Sequence, residues 1–64
     1  MKAAEVRIGD LIKTYYGLAT VMKFFAPSFI GCVIVAPYTN LEKLQLGDWL
    51  YLRGLDFQDA EIIK

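Results

Sequence analysis

Chemistry at a protein site needs a nucleophile, a proton carrier or a metal ligand, and this 64-residue chain offers few of any of them. It has a single cysteine, Cys32, and no histidine, so the commonest general base and the commonest transition-metal ligand are both missing. Cys32 sits within "IGCVIVA", where apolar neighbours raise a thiol pKa and leave the residue acting as a small buried hydrophobe. A reactive thiolate needs cations beside it and an open approach, and that stretch supplies neither. The carboxylates Asp56, Asp59 and Glu61 cluster in "DFQDAE", which raises the question of a hard-cation site. Their spacing lacks the turn glycine and the alternating oxygen ligands of a calcium loop, so they read as a solvated edge. The expectation is therefore no catalytic residue, no metal and no cofactor.

Binding chemistry is better represented. In "WLYLR", strand alternation puts Leu50 and Leu52 on one face and Trp49, Tyr51 and Arg53 on the other. If the leucines take the core, two aromatics and an arginine are left outside, and these are the residue types most enriched in binding hot spots. The competing structural use of Trp49 is to cover an open end of the fold. Tyr15-Tyr16 and Phe24-Phe25 are expected to face each other across the first hairpin, each pair placing one ring on each side of the sheet. "CVIVA" is also two-sided, with Cys32 and Ile34 on one face and Val33 and Val35 on the other. The expected interface is thus Trp49, Tyr51, Arg53, Tyr15 and Phe25.

Size and composition say who could meet that interface. A chain this short makes one domain, here residues 1–64, and buries only about 60% of the surface its unfolded form exposes. One cysteine cannot form an internal disulfide, so subunit contact is the remaining aid to stability. Apolar residues make up 56% of the chain, above the roughly 45–50% usual for a soluble domain, which again points to a covered surface. A second copy of the chain, or another protein, is the expected partner. Seven Lys plus Arg balance seven Asp plus Glu, so no net field draws in nucleic acid or an acidic membrane. Nucleic acid remains an alternative partner, with Tyr15, Phe25, Trp49 and Tyr51 as stacking platforms beside Lys13, Lys23 and Arg53. The opening "MKAAEVRIGD" meets charges before any apolar run, so cytoplasm is the expected compartment. Residues 18–36 average roughly +1.9 in mean hydropathy, which makes a single-span membrane peptide a further alternative. Lys23, Pro27, Ser28 and Gly31 interrupt that stretch, and its Val, Ile, Phe and Thr content suits two buried strands joined by a loop.

The elements that position these residues follow from the turn chemistry. Gly9-Asp10 and Gly47-Asp48 read as structural turns, since Gly accepts positive φ and the Asp side chain binds turn N–H groups. Between the turn signals lie "LIKTYY", "LATVMKFFA", "IGCVIVA", "WLYLRG" and "AEIIK", five short strands at the spacing of an all-β barrel or sandwich. One short helical turn is expected near residues 40–45, where Asn40 caps "NLEKL".

The run "IGDLIKTYYGLATVMKFF", then "GCVIVA" and a closing "AEIIK", resembles SH3-like small β-barrels, including KOW-type modules, over most of the chain. That resemblance implies a five-stranded barrel and, being made of turn and strand residues, implies no activity. "NLEKLQLGDWLYL" is also similar to the end of peptidoglycan-binding LysM modules, but "LIKTY" is shorter than the spacing those modules keep between Gly-Asp and Tyr-Gly. The combined expectation is an all-β, five-stranded SH3-like barrel that acts as a non-enzymatic interaction or assembly module and associates with itself.

Overall fold

The computed structural model describes residues 1–38 and 44–63. It is built on five antiparallel strands: β1 Leu11–Thr14, β2 Gly17–Ala26, β3 Phe29–Pro37, β4 Trp49–Leu52 and β5 Glu61–Ile62. They form one sheet in the order β4-β3-β2-β1-β5, so each of the first four lies beside its sequence neighbour and β5 returns to β1. The sheet is not closed into a barrel: β4 and β5 are its two edges. The expected barrel is corrected on this point, because among the described residues no strand pairing joins β4 to β5.

The connection between β4 and β5 is the second correction. It is helix α1, Leu55–Asp59, which occupies part of the stretch read as a solvated acidic edge. Phe57 explains the helix, since its side chain is fully buried and carries the turn onto the core. The Asp56 and Asp59 carboxylates stay in solvent. Five residues are too few to hold a helix by propensity, so this one persists through its packing. The helical turn expected near residues 40–45 falls largely outside the described residues.

The core lies on one face of the sheet and obeys strand alternation. Ile12 comes from β1, Ala19 and Val21 from β2, Ile30, Cys32 and Ile34 from β3, and Leu52 from β4. Phe57, Ala60 and Val6 cover them from the other side. β2 changes register against β3 three times, at Leu18/Ala19, Val21/Lys23 and Phe24/Ala26. Each irregularity lets two residues oppose one and adds twist, which coils this long strand around a core too small for a flat sheet.

The two Gly-Asp sites are the same device used twice. Gly9 and Gly47 hold φ of 94° and 90°, the left-handed values a type II turn asks of its third residue. The Asp10 carboxylate accepts from the Arg7 N–H at 2.9 Å, and the Asp48 carboxylate accepts from the Gln45 N–H at 2.9 Å. Each turn then docks on the neighbouring strand. Gly9 N–H donates to the Val21 carbonyl and Val21 N–H to the Asp10 carbonyl; Gly47 and Asp48 make the equivalent pair with Ile34. Turn chemistry alone thus accounts for the repeated motif.

Residues 18–36, the apolar stretch with the hydropathy of a membrane span, form β2, β3 and the turn between them rather than a helix. Among the described residues no helix is long and apolar enough to cross a membrane.

Candidate interaction face

Alternation that sends Leu50 and Leu52 inward sends Trp49, Tyr51 and Arg53 to the outer face of the sheet. Trp49 is 48% exposed and Tyr51 55%, so neither lies within the core. Their rings are nearly parallel, with centroids 6.3 Å apart and 16° between the planes. From β2, Phe25 reaches over to Tyr51 with a centroid distance of 5.8 Å, and from the start of β3, Phe29 lies 4.8 Å from Phe25. Four rings from three strands therefore form one outward cluster.

The cluster exists because of a residue with no side chain. Gly31 points outward at the middle of β3, paired with Lys23 on one side and Tyr51 on the other. A Cβ built there would stand 3.2 Å from Phe25 Cε2 and 3.2 Å from Trp49 Cζ3. Glycine in a strand interior often marks such a close approach, and here two rings from opposite neighbours lean into the space it leaves. The β2 irregularity at Phe24/Ala26 supplies the extra residue that lets Phe25 turn outward.

Cations border the same rings. Lys23 Nζ stands 5.1 Å from the centre of the Phe25 ring, and the Arg53 guanidinium carbon 5.7 Å from that of Phe29. Both distances suit cation–π attraction, worth about 0.5–1 kcal/mol at exposed positions. Three of the acids, Glu5, Asp59 and Glu61, line a shallow concavity of about 470 Å³ at the α1–β5 end, beside Met1.

The structure brings Trp49, Tyr51, Arg53 and Phe25 together and leaves Tyr15 apart. Tyr15 and Tyr16 form the β1–β2 turn, at the start of β2, whereas Phe25 lies at its far end, roughly 25 Å away at strand rise. The expected facing of Tyr15-Tyr16 against Phe24-Phe25 is thereby corrected: β1 spans only Leu11–Thr14 and pairs with Gly17–Thr20, short of the Phe pair. Tyr15 is 79% exposed, stands edge-on to Tyr16 at 5.2 Å, and lines a groove of about 240 Å³ with Lys13, Thr14, Asp59 and Glu61. Lys13 belongs to that groove as well, opposite Glu61 on β5. Phe29 and Gly31 are members of the outer cluster that strand alternation in "WLYLR" does not announce. An outward glycine between two aromatic strands is the signal that does.

Cys32 is fully buried, its Sγ–H donates to the Leu50 carbonyl at 3.3 Å, and burial pushes its pKa up to about 11. Among the described residues no three His, Cys, Asp or Glu side chains stand together in a way that could hold a metal ion. Thr14, the one buried polar side chain described, is spent on the hairpin: its hydroxyl donates to the Gly17 carbonyl and accepts from Tyr16 and Gly17 N–H.

Compared with known proteins, the chain matches no family, no curated sequence and no solved structure, so its reading rests on the residues described above.

Proposed function

We propose that this protein is a non-enzymatic interaction module whose working surface is the outer β2-β3-β4 face, and that it associates with copies of itself through that face. The observation carrying the reading is the four-ring cluster of Phe25, Phe29, Trp49 and Tyr51 gathered over Gly31. Aromatic anchors of this kind supply large contact area at low entropic cost, and a few of them commonly dominate a protein contact. The strand order suits an SH3-like fold with its sheet left open, which agrees with the resemblance of "IGDLIKTYYGLATVMKFF" to those modules. A free, unpaired Cys32 suits a reducing compartment, and we take this to be the cytoplasm.

Sedimentation of the wild type beside a Trp49→Ala, Tyr51→Ala double variant tests the reading. The wild type should associate with rising concentration, and the double variant should stay monomeric with its strand-type circular dichroism intact. A double variant that unfolds, from a wild type that is itself monomeric, makes Trp49 a structural cover and removes the interface.

A second reading is favoured by Lys23 over Phe25 and Arg53 over Phe29, since stacking rings edged by cations also suit single-stranded nucleic acid. A salt-sensitive shift of labelled RNA that disappears in the double variant would support it over self-association.

A further inference from the structure

The open edge of β4 adds a specific geometry to the self-association reading, on which this inference rests. Among the described residues, β4 has a strand neighbour on one side only. The Asp48 carbonyl accepts from Ile34 N–H on β3, and the Leu50 carbonyl accepts from the Cys32 thiol on β3. Backbone groups alternate in direction along a strand, so the Asp48 carbonyl and the groups of Leu50 and Leu52 face β3, and those of Trp49, Tyr51 and Arg53 face the open edge. The residues that carry the outer aromatic face therefore also carry the free ladder positions. The edge has natural limits, because the Gly47-Asp48 turn precedes it and Gly54, with φ of 59°, swings the chain away into α1. What is left runs from Trp49 to Arg53, with Tyr51 at its centre.

We infer that two copies of the chain pair their β4 edges antiparallel, with Tyr51 opposite Tyr51 of the second copy on a two-fold axis. Three observations select this register. It matches outward-facing backbone groups with outward-facing ones, as a hydrogen-bonded antiparallel pair requires. It sets Trp49 of each copy opposite Arg53 of the other, an aromatic-to-guanidinium pairing made twice, whereas centring on Arg53 would set like charges face to face. On the inner side it sets the half-buried Leu50 opposite Leu52 of the second copy, already fully buried in its own core, so no polar or charged side chain is brought onto that side. A two-fold contact must be complementary to itself, and "WLYLR" reads as such about its central tyrosine. The contact is small, so the pair forms reversibly with concentration.

Oxidative cross-linking of single-cysteine additions tests this. Opposite Cα atoms of a hydrogen-bonded antiparallel pair lie about 5.5 Å apart, within disulfide reach. Tyr51→Cys should give a covalent dimer under mild oxidant, while Phe25→Cys and the wild type, whose Cys32 is buried, give little. Tyr51→Pro, which removes an N–H from the open edge and none from the β3 ladder, should be monomeric in sedimentation with its fold retained. If the wild type is dimeric but Phe25→Cys cross-links in place of Tyr51→Cys, the copies meet face to face; edge pairing is then wrong and the aromatic-face reading survives. A wild type that is monomeric at every concentration overturns both. Should Tyr51→Pro fail to fold, the pattern of cross-links alone decides.

Discussion

Trp49 reaches across from β4 until its Cζ3 atom lies 3.2 Å from the point where a Cβ on Gly31 would stand. The position of the indole is thus tied to the absence of a side chain on the neighbouring strand. Replacing Gly31 by Val should push the Trp49 and Phe25 rings apart and weaken self-association, while the inner face, formed by Ile30 and Cys32, is untouched. Near-UV circular dichroism and Trp49 fluorescence would report the displacement. Unchanged spectra in Gly31→Val would mean that the rings do not rest on this residue.

The paired turns make a matched prediction. Among the described residues, no atom beyond the adjoining ones lies within 4 Å of a Cβ at Gly9 or Gly47, so substitution there is costly through the backbone. Gly9→Val and Gly47→Val should each destabilise the protein by about 1 kcal/mol or more, because a β-branched residue is strained at positive φ. Gly17→Ala should cost more than either, since its Cβ would meet the Ala36 carbonyl oxygen at 2.5 Å and Pro37 Cα at 2.8 Å. Denaturant midpoints would give the ranking, and a Gly17→Ala variant as stable as wild type would contradict it.

Phe57 is the test of α1. Its truncation to Ala should cost about 3–5 kcal/mol, enough to unfold a domain of this size, whereas Leu55→Ala, 72% exposed on the same helix, should be nearly silent. Thermal melts of the two variants would separate a helix held by its anchor from one held by propensity.

Cys32 predicts a pH dependence of definite sign. Burial raises its pKa from 9.0 to about 11, so between those values the unfolded chain loses the thiol proton while the folded one keeps it. Stability from this group is complete below pH 9 and is lost as pH rises towards 11. Cys32→Ala should flatten that part of the curve, and native Cys32 should react with thiol reagents far more slowly than the unfolded chain does. Equal reaction rates would place the thiol at the surface.

What was legible in the sequence was mostly local. Gly9-Asp10 and Gly47-Asp48 carry their whole meaning within four residues, and the strands between turn signals are short and apolar enough to be seen as strands. Alternation in "WLYLR" separated Leu52 from Tyr51 because β4 runs without a bulge. The same rule failed for Phe24-Phe25, where β2 changes register and the side of each ring no longer follows from counting. α1 was hidden because "LDFQD" shows no helical period and is held by one phenylalanine meeting residues far away in sequence. Closure of a sheet is likewise invisible locally, since it depends on whether two edges some distance apart come within bonding reach.

One seam of the sheet has consequences in time. β1 to β4 follow one another as antiparallel neighbours, but among the described residues β5 pairs with β1 through Ile12↔Ile62 and Lys13↔Glu61, across some fifty residues of chain. Closing so long a loop for two residue pairs has to wait until the hairpins have gathered the ends, so this ladder forms late in folding. By the same reasoning it opens first. The Ile63 N–H, which donates to the Leu11 carbonyl at the end of that seam, should exchange with solvent deuterium through local fraying, well before amides in the β2–β3 ladder that open only when the whole domain does.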